Sequence, residues 1–79
     1  MPGVYLQTTF LKEYVEKFGY LEKDVKINTI GLSELGEKYM FESGEIRFLT
    51  IESIKEILKK AGLEYDEFIV AYAAYLKTL

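Results

Sequence analysis

The stretch KYMFESGEIRFLT, residues 38–50, decides which fold the sequence predicts. Two short apolar segments flank Glu42-Ser43-Gly44-Glu45, and a glycine-containing turn between two such segments is typical of a β-hairpin. The strongly patterned segments on either side of it have helical spacing. We therefore expect a mainly α, small four-helix domain with a short β-hairpin near residues 38–49.

An amphipathic helix is predicted before this stretch. Aromatic and aliphatic side chains recur there every fourth residue and so form one face of a helix. They are Leu6, Phe10, Tyr14 and Phe18. Gly19 is expected to end the helix, because glycine readily takes the left-handed conformation that follows a last helical turn.

The segment between the first helix and the hairpin has a weaker pattern. Residues 20–32 are expected to be extended or irregular, since their apolar positions fit both a strand and a short helical turn. Ser33 has the chemistry of a helix N-cap and predicts a short second helix over residues 34–39. Gly36 weakens that helix by about 1 kcal/mol relative to alanine, so the helix depends on packing.

Two more helices are predicted after the hairpin. Thr50 is the expected N-cap of a helix whose apolar stripe includes Ile54 and Ile57, and Ala61-Gly62 is expected to end it. Asp66 is the expected cap of the last helix. Helices followed by a hairpin and a further helix are also the order of a winged helix. The alternative fold is therefore α+β and winged-helix-like.

Composition limits the function more sharply than the fold. The 79 residues suffice for a single compact domain over residues 1–79. The chain has no cysteine and no histidine, which excludes disulfides, thiolate metal sites and the familiar serine-histidine triad. Glu64, Asp66 and Glu67 cluster without the spacing of a calcium loop. The sequence therefore predicts that the protein is not an enzyme and binds no cofactor and no metal.

The expected location is the cytoplasm. The first ten residues, MPGVYLQTTF, lack the basic flank and the uninterrupted apolar core of a signal peptide. The longest apolar run, from Phe68 to Leu76, is about half of the ~18 residues that span a bilayer. The lack of Cys, His and Trp beside many Lys, Glu, Ile and Tyr is typical of proteins from hot environments.

The segment DEFIVAYAAYLKTL, residues 66–79, is the least polar part of the chain. A helix that is apolar on all sides is buried on all sides, and three other helices in so short a chain cannot surround it. We therefore expect a protein–protein interaction module that binds a second copy of itself or another protein. Phe68 is expected to face the chain's own core. The predicted interface residues are Tyr72, Tyr75, Leu76 and Leu79.

The alternative function is that of an acidic winged helix-turn-helix regulator that binds DNA. Such a protein needs a basic patch to neutralise phosphates. The candidate residues are Arg47, Lys55, Lys59 and Lys60. The net charge is -3, and Glu52 and Glu56 alternate with the lysines. A solvated helix face is therefore the favoured interpretation of these lysines.

The segment TIGLSELG, residues 29–36, resembles acyl carrier proteins, which are four-helix domains of similar size with a prosthetic group on a serine. The resemblance implies a carrier-like four-helix domain with Ser33 as the attachment site. The family has Asp-Ser-Leu where this chain has Leu32-Ser33-Glu34, so the carrier function is not carried over. Residues 50–76 are similar in style to the dimerising helices of archaeal ribosomal stalk proteins, an analogy for dimerisation.

Overall fold

The computed structural model describes residues 7–20 and 26–78. In chain order these residues form one helix, three strands and two helices. The elements are α1 (Gln7–Phe18), β1 (Ile27–Ser33), β2 (Gly36–Phe41), β3 (Ile46–Phe48), α2 (Ile51–Lys60) and α3 (Tyr65–Lys77). The fold is therefore α+β. The expectation of a mainly α four-helix domain is wrong, whereas the α+β class of the alternative is consistent with the structure.

The second predicted helix is the source of that error. Residues 34–35 form a two-residue turn between β1 and β2, and the Ser33 hydroxyl accepts a hydrogen bond from the Leu35 N–H at 3.3 Å. Gly36 opens β2 with a φ of 123°, which no α-helix contains. Ser33 thus ends a strand and does not begin a helix. The carrier-like four-helix arrangement is therefore also wrong.

The three strands form one antiparallel sheet in the order β1-β2-β3. The hairpin expected near residues 38–49 is present as β2 and β3, and β1 adds a third strand to it. The Phe41 N–H donates to the Glu45 carbonyl at 2.9 Å, and the Gly44 N–H donates to the Phe41 carbonyl at 2.9 Å. Gly44 has a φ of 96°, a conformation that glycine adopts without steric cost.

One hydrophobic core joins the three helices to one face of this sheet. Its buried residues are Leu11, Val15, Ile27, Tyr39, Phe41, Ile54, Ile57, Leu58, Ala61 and Phe68. Ile54 and Ile57 belong to this core, which confirms the apolar stripe that the sequence predicts for α2. Phe68 is also buried, so the predicted inward direction of that side chain is confirmed. The molecule has two layers, with the sheet in one and the helices in the other.

The start of α2 is fixed by a capping box. The Thr50 hydroxyl accepts a hydrogen bond from the Ser53 N–H at 3.1 Å. In return, the Ser53 hydroxyl accepts one from the Thr50 N–H at 2.8 Å. Two backbone donors that a helix start leaves without partners are thereby satisfied. The predicted N-cap at Thr50 is confirmed.

The end of α2 is a Schellman motif. The Leu63 N–H donates to the Leu58 carbonyl at 2.8 Å, and the Gly62 N–H donates to the Lys59 carbonyl at 3.1 Å. Gly62 has the positive φ of 76° that this motif requires. The predicted end of the helix at Ala61-Gly62 is confirmed.

Gly19 follows α1 as predicted, but for a different reason. Its φ is not among the positive values found within residues 7–20 and 26–78, so it does not form a left-handed cap. A Cβ at this position would lie 2.7 Å from Leu63 Cδ1 and 2.8 Å from the carbonyl oxygen of Ala61. Glycine therefore lets the end of α1 approach the turn between α2 and α3.

The described start of α1 is held by the sheet. Glu37 Oε1 accepts hydrogen bonds from the Thr8 N–H at 2.9 Å and from the Thr8 hydroxyl at 3.2 Å. The Thr29 hydroxyl donates to the Thr8 hydroxyl at 3.1 Å. Thr8 is buried, so partners in β1 and β2 replace water for its polar groups.

The start of α3 differs from the prediction by two residues. Glu64, and not Asp66, occupies the N-cap position, and its side chain makes no capping hydrogen bond. Asp66 and Glu67 lie in the first turn, where negative charge is favoured by the positive end of the helix dipole.

Candidate interaction surface on the last helix

The inward face of α3 packs against α1 through an aromatic cluster, which consists of Phe10, Tyr14, Phe68, Tyr72 and Tyr75. The ring centroid of Phe10 lies 5.7 Å from that of Phe68, 5.1 Å from that of Tyr72 and 5.2 Å from that of Tyr75. These separations are typical of favourable aromatic pairs. Phe68 is fully buried and both tyrosines are partly buried, so this face of α3 is engaged within the chain.

Tyr72 lies where ionisation of its hydroxyl is disfavoured. Partial burial raises the pKa of Tyr72 above its ordinary value of 10.0, and the nearby Glu37 and Tyr75 raise it further. The phenol is therefore neutral at physiological pH. In this state Tyr72 contributes an aromatic ring that packs against Phe10.

The outward face of α3 carries a straight row of four residues, which we call the outer stripe: Asp66, Val70, Ala73 and Lys77. Their spacing of four, three and four residues places them along one line on a helix. All four are exposed, and Val70 is 70% exposed. Within Tyr65–Lys77, Phe68 is the one residue that is fully buried. The least polar helix of the chain thus leaves much of its apolar surface accessible.

The predicted interface residues occupy different positions on α3. Tyr72 and Tyr75 belong to the aromatic cluster and face α1, whereas Leu76 is 42% exposed at the flank of the helix. Leu79 lies outside the described residues.

Val70 and Ala73 are missing from the predicted set. Because α3 is apolar on nearly every side, its sequence does not show which side faces the chain's own core. The usable signal is the pair of charges, Asp66 and Lys77, at the two ends of an apolar row with regular spacing.

Two of the four basic residues of the alternative function, Arg47 and Lys60, are paired with acidic ones. Arg47 Nη2 lies 3.0 Å from Glu45 Oε1, and Arg47 Nη1 lies 3.5 Å from Glu56 Oε2. Lys60 Nζ lies 3.3 Å from Glu56 Oε1. The hydrogen bond that Arg47 Nε donates to Glu45 Oε1 raises the pKa of Arg47, which keeps its charge. This group of two cations, Arg47 and Lys60, and two carboxylates, Glu45 and Glu56, carries no net charge.

The other two candidate cations lie on α2. Lys55 Nζ lies 5.0 Å from the ring centroid of Tyr65, so this ammonium group contacts an aromatic face. Lys59 is exposed. The structure thus brings Arg47 and Lys60 together through Glu56 and leaves Lys55 and Lys59 outside that group.

A second accessible apolar surface lies on the face of the sheet opposite the core. Its cross-strand pairs are Met40 with Ile46 and Lys38 with Phe48, and we call these four residues the open sheet face. Ile46 is 58% exposed and Phe48 is 36% exposed. Lys38 Nζ lies 6.0 Å from the Phe48 ring centroid, so the one charge in these pairs is positive.

Neither a membrane span nor a metal cluster is present in the part of the chain that the structure describes. No helix within residues 7–20 and 26–78 has both the length and the hydropathy needed to cross a bilayer. Over the same residues, no three acidic side chains come together as a group that could hold a metal ion.

Comparison with known proteins found no matching family model, no matching curated protein and no matching solved structure. The function therefore has to be inferred from the residues and their geometry.

Proposed function

We propose that this chain is a non-enzymatic protein–protein interaction module that forms a homodimer through α3. One observation carries the proposal: the least polar helix of the chain buries only Phe68 completely and leaves Val70 70% exposed. Helices that are apolar on most sides are stable when most sides are covered. The aromatic cluster covers one side of α3, and a second copy of the chain covers the other.

The burial of Val70 is the main source of the free energy of association. Full burial of a valine side chain contributes about 1.5–3 kcal/mol, and a two-fold interface uses the same patch on both copies. Ala73 and Ala74 are exposed beside it, and their small side chains let a second helix approach closely. The polar ends of the outer stripe keep the isolated surface soluble.

The hydroxyl groups of the chain support a role without catalysis. Ser33 donates to the Gly36 carbonyl at 3.4 Å within a turn, and Ser53 donates to the Thr50 carbonyl at 3.0 Å within a cap. Tyr72 is neutral at physiological pH, and its raised pKa keeps it neutral to a higher pH than an ordinary tyrosine. The sequence has no histidine or cysteine to activate any of these groups.

DNA binding is the second candidate function. The connection between α2 and α3, residues 61–64, has the length and the glycine of a helix-turn-helix connection. However, α3 would then be the recognition helix, and its first turn carries Asp66 and Glu67, which repel phosphates. Glu56 also pairs with both Arg47 and Lys60. These charges favour the interaction module.

Light scattering of the purified chain over a range of micromolar concentrations tests the proposal. We expect a mass near twice the 9.2 kDa of one chain, falling towards one chain on dilution. Val70→Glu should remain folded and become monomeric. Ile46→Glu is the matched control, because it places the same charge on the open sheet face.

Three other results would contradict parts of the proposal or favour the second candidate. A parent chain that remains monomeric at the highest concentration overturns the proposal. Dissociation by Ile46→Glu and not by Val70→Glu moves the interface to the sheet and overturns the role of α3. A titration with random duplex DNA at low salt separates the second candidate, because tight and strongly salt-dependent binding is expected only of a DNA-binding protein.

A further inference from the structure

We propose that the outer stripe pairs with itself in antiparallel orientation, so that Asp66 of each copy contacts Lys77 of the other. This inference rests on the proposed homodimer and goes further, because it names the face, the direction and the residues in contact. The partner it fits is a second copy of this chain.

The spacing of the outer stripe suits helix pairing. Steps of four, three and four residues are those of the seam between two helices that pack side by side. Asp66 and Lys77 lie equally far from the midpoint of the row, and so do Val70 and Ala73. A two-fold axis through that midpoint therefore places Val70 of one copy against Ala73 of the other. The large side chain of each helix meets the small one of its partner.

The charges determine the direction. In an antiparallel pair, Asp66 and Lys77 meet at both ends of the interface, whereas a parallel pair would place Asp66 against Asp66. Neither residue forms an ion pair with any other described residue, so both charges are available to a partner. Antiparallel helices also place the positive end of each helix dipole beside the negative end of the other. Both effects favour the same arrangement.

The open sheet face lacks this self-complementarity. Its cross-strand pairs contain Lys38 and no acidic residue, so a face-to-face pair of sheets would bring the two copies of Lys38 onto one surface. Like charges at an interface oppose association. The outer stripe is therefore the better match for a second copy.

The interface is small. The thirteen residues of α3 make a helix about 20 Å long, and a single helix pair of this length buries less than the roughly 1,200 Å² of a standard interface. We therefore expect a reversible dimer in the micromolar range whose affinity falls with added salt, since its end contacts are exposed ion pairs.

Charge reversal tests the pairing. Asp66→Lys places Lys against Lys at both ends of the interface, and Lys77→Asp places Asp against Asp. Each variant alone should weaken self-association on the order of tenfold or more. An equimolar mixture of the two variants should form a heterodimer, because every end contact is again between opposite charges. The double variant Asp66→Lys/Lys77→Asp should dimerise like the parent chain.

Glu67→Lys is the matched control. It reverses a charge in the same helical turn, so it perturbs the helix dipole equally, but it lies off the outer stripe. Circular dichroism and melting of each variant verify the fold. If the parent is a dimer and neither reversal at 66 or 77 weakens it more than Glu67→Lys, the pairing is wrong while the homodimer stands. A monomeric parent overturns both.

Discussion

A hydrogen atom in place of a methyl group at Gly19 lets α1 end against the turn between α2 and α3. Among the residues that the structure describes, four glycines have a positive φ, at positions 31, 36, 44 and 62, and each has open space where a Cβ would stand. Gly19 is the opposite case, with ordinary backbone and no space. The sequence alone does not distinguish these two cases, so the reason for Gly19 comes from the packing.

Gly19→Ala should destabilise the protein. Alanine favours folding by about 0.4–1 kcal/mol through the unfolded chain, but overpacking costs about 1–3 kcal/mol, so the clash dominates. For a chain of this size we expect the melting temperature to fall by about 4 °C or more. In a Leu63→Ala background the same substitution should cost less, since the nearest side-chain atom is gone, and a double-mutant cycle measures this coupling. An unchanged melting temperature in Gly19→Ala would show that α1 does not approach the turn this closely.

Tyr72 predicts a difference at alkaline pH. Its folded pKa is raised above 10.0, so as the pH rises past 10 the unfolded chain loses this proton first and becomes favoured. The stability contributed by neutral Tyr72 is therefore complete below pH 10 and is lost as the pH approaches the folded pKa. Urea unfolding at several pH values between about 8 and 12 should show a steeper loss in the parent than in Tyr72→Phe. Parallel losses in the two proteins would contradict the assigned environment.

The elements that carry strong local signals are those that the sequence predicts correctly. Thr50 and Gly62 mark both ends of α2 because capping depends on a side-chain oxygen and on a left-handed residue, which are local properties. Ser33 carries the same local signal as Thr50 but ends a strand. Whether Ser33 begins a helix or ends a strand depends on Gly36 and on the pairing of β1 with β2. A capping pattern does not include either of these.

Ser53→Ala should cost about 0.5–2 kcal/mol in the free energy of unfolding, because it removes one side of the capping box. The Ser53 hydroxyl also lies 3.4 Å from the Phe48 carbonyl, so it connects the end of β3 to the start of α2. Ser43→Ala is the matched control, an exposed serine in the hairpin turn, and should stay within about 0.5 kcal/mol of the parent. Equal effects of the two substitutions in urea titrations would show that the box contributes nothing.

The candidate site was only partly predictable for a related reason. The composition of α3 predicts a largely covered helix, and the burial of Phe68 was predicted. The side of α3 that faces outwards depends on where α1 lies, because Phe10 of α1 packs against Tyr72 and Tyr75. The sequence of α3 alone does not show where α1 packs against it.

At the scale of the whole molecule, a single core has to hold both layers together. Its members come from α1, β1, β2, α2, the turn after α2 and α3, with no disulfide to support them. A domain of this size buries only about 60% of the surface of its unfolded chain, so the loss of one core side chain matters.

Ile54→Ala should therefore cost about 2–5 kcal/mol, a large share of the roughly 5–15 kcal/mol that stabilises a typical domain. Ile51→Ala is the matched control in the same helix, since Ile51 is 60% exposed and Ile54 is 3% exposed. It should stay within about 0.5 kcal/mol of the parent. Thermal melting of the two variants side by side checks the assignment, and comparable shifts would show that this face of α2 is misplaced.

The contact of Phe10 with Phe68 also sets the order of events during synthesis. The ribosome adds roughly 5–20 residues per second, and Phe68 lies 58 positions after Phe10 (68 − 10), so it is made about 3–12 s later. The three strands and α2 lie close together in the chain, so they are synthesised together with the elements that they contact, before α3. The aromatic side of α1 has to wait for the last helix. For those seconds the nascent chain exposes an aromatic surface of α1 that α3 covers in the folded protein.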